Sequence, residues 1–183
     1  MKNALEDGSR TKQLLQFTDE VGLFYEDHGL TRIWGRVLGW LMVCEPSHQS
    51  AEDLATILHA SRGSISTTTR SLVRAGLVER QTRPGDRRTY YRIKPGAWTV
   101  VFEQQTQTAK RLRELAQRGL AALDGESPQR RQRLAELEDL TVFYEREAPV
   151  LLERWHQQHH QNLKESDDHR SRNVPESDRL LQE

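Results

Sequence analysis

Apolar positions along the chain recur in two rhythms. Over residues 11–28, Leu14, Phe17, Val21, Phe24 and Tyr25 fall about three or four apart, the stripe of a helix, and Gly29 ends it. Trp34, Val37, Leu38, Leu41 and Met42 predict a second helix over 32–44, capped by Thr31 and stopped by Pro46. Leu54, Ile57 and Leu58 mark a short third helix. It opens on Ser50-Ala51-Glu52-Asp53, where a Ser and an acid three residues on can satisfy orphan amides. After the tight connection His59-Ala60-Ser61, with Ser61 as cap, a fourth helix is expected over 62–75, closed by Gly76 in a left-handed conformation. There the period drops to two. Residues 77–81 and 91–94 alternate apolar and polar, and Pro84-Gly85-Asp86 between them is turn chemistry, which predicts a two-stranded hairpin. Helical spacing then returns. Lys94-Pro95-Gly96 breaks the strand, Val101, Phe102, Leu112, Leu115 and Leu120 predict a helix after it to about residue 123, and Asp124-Gly125-Glu126 a turn. Ser127-Pro128 opens a last helix over 128–164, with Leu134, Leu137, Thr141, Tyr144, Leu151 and Trp155 as its stripe and Pro149 expected to kink or restart it.

The fourth helix is unusual. Outside Ile65, Leu72 and Val73 it is Gly63, Ser64, Ser66, Thr67, Thr68, Thr69, Arg70, Ser71 and Arg74, mostly weak helix formers. A helical wheel sets Gly63, Thr67, Arg70, Ser71 and Arg74 opposite Ile65 and Leu72. Short hydroxyls and Arg reach phosphates and base edges; the plainer alternative is a solvated Ser/Thr face. The hairpin that follows carries Arg83, Arg87 and Arg88 at its tip, with Arg80, Arg92 and Lys94 on the strands. Asp86 either stays solvated or orients a neighbouring Arg. Two short helices, a turn and a basic hairpin outline a winged helix-turn-helix: a mainly α fold with a small β-hairpin, flanked by long N- and C-terminal helices.

Charge sharpens this picture. The 183 residues hold 27 bases and 27 acids, so net charge is zero. Residues 61–94 nevertheless hold nine bases against two acids, +7, and the remainder is −7. A basic module among acidic flanks is a footprint for a polyanion. On this basis Arg62, Ser64, Thr67, Arg70, Arg74, Arg83, Arg87 and Arg88 are the candidate DNA-binding residues. A winged-helix protein-interaction module that no longer reads DNA is the alternative, and the basic segment counts against it.

Residues 61–96, SRGSISTTTRSLVRAGLVERQTRPGDRRTYYRIKPG, resemble the recognition helix and wing of MarR-type winged-helix regulators. Residues 17–46, FTDEVGLFYEDHGLTRIWGRVLGWLMVCEP, resemble their GbsR-like branch. The resemblance covers about residues 17–96. It implies a homodimeric, sequence-specific DNA-binding regulator that responds to a small molecule, in some relatives a quaternary ammonium compound. It also puts Arg87 at the wing position of a DNA-contacting base.

The expected organisation is a disordered N-terminus (1–10), a dimerisation helix (11–30), the winged helix-turn-helix (31–96), C-terminal dimerisation helices (97–164) and a disordered tail (165–183). Apolar content is 35% and mean hydropathy −0.81, which suits long exposed helices and a polar tail. No apolar run approaches the ~20 residues of a membrane span, and the N-terminus lacks a signal-peptide core, so a cytoplasmic protein is expected. The single Cys44 excludes an intrachain disulfide and is expected to be a buried structural thiol. His156, His159 and His160 near Glu153 have one metal-compatible i, i+4 pair but no Cys or HExxH, and a solvated helix end is the simpler reading. No phosphate loop, nucleophile elbow or placed carboxylate pair supports an enzyme, and no cofactor is expected. Aromatics at helical spacing are usually core. As an effector pocket Phe24, Tyr25, Trp34, Trp40 and Tyr144 are the candidates, since aromatic cages hold cations.

Overall fold

The computed structural model describes residues 2–172; positions 173–183, within the tail expected to be disordered, lie outside them. In chain order the elements are α1 (Lys2–Asp27), α2 (Arg32–Val43), β1 (Gln49–Ser50), α3 (Ala51–Ile57), α4 (Arg62–Arg74), β2 (Val78–Arg83), β3 (Asp86–Ile93), α5 (Ala97–Ala122) and α6 (Pro128–Arg172). The chain divides into two compact units, Met1–Val100 and Val101–Glu183.

Two helices are longer than their apolar stripes. α1 takes in residues 2–10, where Ala4, Leu5 and Glu6 are good helix formers, in place of the disordered start expected there. α6 continues through Pro149 without a break and past Lys164 to Arg172. The proline removes one backbone bond, and a 45-residue helix carries that loss.

In the first unit α1 lies close against α2. A Cβ at Gly35 would sit 2.6 Å from the Val21 carbonyl oxygen, so only glycine permits the approach. Arg36 adds a polar tie, donating to Asp19 at 2.6 Å and to the Leu58 carbonyl at 2.9 Å. Beneath, Val37, Leu38, Leu54, Leu58, Ile65, Leu72 and Val78 form the buried core of α2, α3, α4 and β2. The sheet has three antiparallel strands in the order β1-β3-β2, one more than the hairpin expected. The extra strand is a two-residue pairing, Gln49 with Tyr91 and Ser50 with Tyr90, too short to leave a periodic trace.

Caps follow the sequence with one exception. Ser50 Oγ accepts from the Asp53 amide at 3.1 Å while Asp53 accepts from the Ser50 amide at 2.9 Å, a complete capping box. Ser61 Oγ accepts from the Ser64 amide at 3.1 Å, and Gly76 closes α4 with φ +73°. Thr31 stands at the N-cap of α2, but its side chain makes no capping hydrogen bond.

In the second unit the α5–α6 seam is built from small residues. Ala109, Ala116, Thr141 and Ala148 are buried, and a Cβ at Gly119 would meet Leu134 at 2.6 Å. Arg113 pairs with Glu145 at 3.1 Å. Many large apolar residues lie outside the seam: Phe102, Leu112, Leu115, Leu140, Phe143, Leu151 and Trp155 are all exposed.

Candidate nucleic-acid interface

α3, the turn and α4 hold the outer face of α4 away from the core. The turn passes through His59 in a left-handed conformation, φ 50°. α4 is seated by Ile65, Thr68, Thr69 and Leu72, all buried. Thr69 buries its hydroxyl by donating to the Ile65 carbonyl at 2.9 Å, which is how it joins an otherwise aliphatic edge. Ser71 is half-buried: its Oγ accepts from Trp34 Nε1 at 3.3 Å, so it belongs to the seat and not to the exposed face the helical wheel gave it.

The outward residues of α4 are Arg62, Gly63, Ser66, Thr67, Arg70 and Arg74, with Ser64 half-buried. Ser66 was not among the candidates. Its spacing of four from both Arg62 and Arg70 was the available signal. Arg62 pairs with Glu52 at 3.0 Å. Arg70 donates to the Ser66 carbonyl at 3.1 Å. The Arg74 side chain has no hydrogen bond or ion pair among the described residues.

The wing is a two-residue hairpin. Arg83 pairs with Asp86 in register, leaving Pro84-Gly85 as the tip, with Gly85 at φ +80°. A proline followed by a left-handed glycine is the chemistry of a type II turn. The strands therefore reach further than the alternating segments suggested, and Arg83, Arg87 and Arg88 are strand residues. Neighbours on a strand face opposite ways, and Arg87 and Arg88 differ accordingly. Arg88 donates through Nε and Nη2 to Asp86 at 3.0–3.2 Å, while Asp86 also accepts the Arg88 amide at 2.9 Å and the Tyr90 hydroxyl at 2.7 Å. Asp86 thus orients an arginine and does not stand solvated. Its hydrogen bonds with Arg88, followed by the one from Tyr90, hold its carboxyl well below the usual carboxylate range. The same bond to Asp86 raises the Tyr90 phenol. Arg83 lies 4.8 Å over the Tyr90 ring and contacts His48. Arg87 is exposed and makes no hydrogen bond or ion pair among the described residues. A groove of about 430 Å³ joins the two parts, lined by Glu52, Arg62, Ser66 and Arg88 among others.

The aromatic candidates divide. Phe24 and Tyr25 meet edge to face at 5.1 Å, and Tyr25 meets Trp34 at 4.8 Å. Trp40 lines a separate cavity of about 510 Å³ with His48 and Tyr90. Tyr144 is on α6, in the second unit. Cys44 is buried, and burial, with the nearby Glu45 adding, pushes its thiol up to about 11. Trp155 stacks on His159 at 4.9 Å; among the described residues no group of three or more His, Cys, Asp or Glu is placed to hold a metal. Among them too, no helix is long and apolar enough to cross a membrane.

Residues 28–89 match the model of the MarR family, and residues 96–158 that of the MmpR5-like MarR family transcriptional regulators. The HTH-type transcriptional regulator MmpR5 of Mycobacterium tuberculosis is 42% identical over 144 residues, 79% of this chain and 87% of that protein. A crystal structure of a transcriptional regulator, also 42% identical, superposes with a TM-score of 0.70 over 79% of this chain and 99% of its own. The chain belongs to the MarR family. It is a DNA-binding transcriptional regulator with a winged helix-turn-helix fold, and its relatives are regulators, not enzymes. The eight candidate DNA-binding residues all lie within the part that matches the MarR model. Neither matching model is that of the GbsR-like branch expected from residues 17–46.

Proposed function

We propose that this MarR-family regulator is a cytoplasmic homodimeric repressor of palindromic operators, released by a small-molecule effector. In this reading α4 enters the major groove, where Ser64, Thr67, Arg70 and Arg74 meet bases and phosphates. Arg62 grips the backbone at the start of α4. Arg83, Arg87 and Arg88 grip the flanking backbone or minor groove.

The observation that carries the reading is the concentration of exposed arginine on two adjoining elements, Arg62, Arg70 and Arg74 on α4 and Arg83, Arg87 and Arg88 on the wing. Dimerisation is supported by the second unit. Its small residues fill the α5–α6 seam, so exposed Leu112, Leu115, Leu140, Phe143, Leu151 and Trp155 have no intrachain use. Apolar surface on that scale calls for a partner, and a two-fold protein matches palindromic DNA. The aromatic group Phe24, Tyr25 and Trp34 supports an effector site, because Trp34 reaches Ser71 on α4. A ligand there acts by favouring one spacing of the two DNA-reading units over another.

Selection of genomic fragments with the purified protein, followed by sedimentation, tests the proposal. A palindrome with half-sites about 10 base pairs apart and a dimeric mass are expected. Diffuse, salt-sensitive binding or a monomer overturns it.

A further inference from the structure

We infer that Gly63 is a DNA-positioning residue: its missing side chain lets the duplex come against the α4 backbone and so sets how deeply α4 is seated. The inference rests on the DNA-reading role proposed for α4.

Glycine is disfavoured in a helix relative to alanine. A helical glycine is explained within a protein by a positive φ or by a neighbour that occupies the place of its Cβ. Gly22, Gly35, Gly39 and Gly119 are of the second kind, with neighbouring atoms 2.6–3.0 Å from that place. Gly29, Gly76, Gly85, Gly96 and Gly125 stand outside the helices, in turns that φ between 73° and 80° explains. Gly63 is neither. It is not among the residues of positive φ, and a Cβ added there meets no atom within 4 Å. The preceding helix α3 does not fill the space.

What adjoins that space is the proposed interface. Gly63 is exposed and follows Arg62, and one turn on are the exposed Ser66 and Thr67, then Arg70. A duplex laid along this strip meets side chains of two or three heavy atoms at Ser66 and Thr67 and bare backbone at Gly63. Arginine stems can bend to keep a phosphate if the duplex is held off. Short hydroxyl side chains cannot follow, and base contacts fail outside about 3.2 Å. A side chain at Gly63 therefore costs sequence discrimination more than charge attraction.

Gly8 on α1 provides a matched control, since its Cβ place is equally open and it lies on none of the DNA-reading elements. Fluorescence anisotropy with the selected operator and with random duplex is measured for wild type, Gly63→Ala, Gly63→Leu and Gly8→Ala, together with melting temperatures. Gly63→Ala is expected to melt at or above wild type, to lose about tenfold in operator affinity, and to keep its random-duplex affinity and salt slope. Gly63→Leu is expected to lose more, and Gly8→Ala nothing. Operator binding by Gly63→Ala equal to wild type overturns the inference, as does a lower melting temperature or an equal loss in Gly8→Ala. If wild type itself selects no operator, the DNA-reading proposal fails first and the inference falls with it.

Discussion

α4 and the wing tip each carry three exposed arginines, and they hold them by different physics. α4 is fixed from behind, by Ile65, Thr68, Thr69 and Leu72 in the core. Its outward side chains need little further support, and Arg74 makes none of the polar contacts seen at Arg62 and Arg70. The wing tip has no apolar backing of its own. Its order comes from one carboxylate, Asp86, that gathers Arg88 and Tyr90, and from Arg83 lying over the same ring. Packing thus positions one half of the interface and electrostatics the other.

That difference is broken most strongly at the adjacent arginines of β3. Arg88→Ala removes a charge and also leaves Asp86 uncompensated before the phosphates. Arg87→Ala removes a charge that balances nothing in the protein. Arg87→Ala is expected to weaken binding about tenfold on any sequence and to flatten the salt slope by about one, with melting unchanged within ~0.5 kcal/mol. Arg88→Ala is expected to weaken binding further. Titrations at several salt concentrations decide it: equal losses would mean that Asp86 does not face the DNA.

A smaller effect is expected at Asp86 itself, because two consequences oppose each other. Asp86→Asn frees Arg88 from its clamp, and it also removes a negative charge from the DNA face. Net affinity should change less than in Arg87→Ala. The clearer readout is the Tyr90 phenol, which its hydrogen bond to Asp86 holds above the ordinary value. In Asp86→Asn it should titrate back toward about 10, seen by ultraviolet difference absorbance. No movement would mean that the bond is not formed. The pH dependence follows in sign. Because the folded Asp86 value is lowered, its contribution is whole above about pH 4 and fades only as pH falls through the lowered value. Tyr90, being raised, contributes fully below about pH 10 and loses that contribution as pH rises through its folded value.

How much of this was legible in the sequence follows the same division. The helices, Ser50 and Ser61 caps and Gly76 stop were readable because spacing and capping are local. β1 was not, because two residues have no period, and the buried Thr69 was not, because threonine reads as polar until its hydroxyl is seen bonded within the helix. Ser71 was misplaced for a related reason: a wheel gives direction but not the indole that meets it. In the second unit, the stripes of large residues were read as dimerisation surface, and the intrachain seam of Ala109, Ala116 and Ala148 left no such stripe to read. At the wing, the position of three arginines was plain, but which of Arg87 and Arg88 is bound internally depends on the strand reaching to Asp86.

The smallest effect tests the packed half of the comparison at its one strained point. His59 joins α3 to α4 with φ 50°, a left-handed conformation that costs a non-glycine residue roughly 1–2 kcal/mol. Glycine adopts it freely but loses more chain entropy on folding, roughly 0.5–1 kcal/mol. His59→Gly should therefore stabilise the fold by about 0.5 kcal/mol, the difference between these terms. Its DNA affinity should be unchanged, because α4 is oriented by its buried face and not by the turn. Chemical denaturation and operator titration check the two parts separately. Higher stability with weaker binding would show that the turn, and not the core beneath α4, sets the angle at which the recognition helix meets DNA.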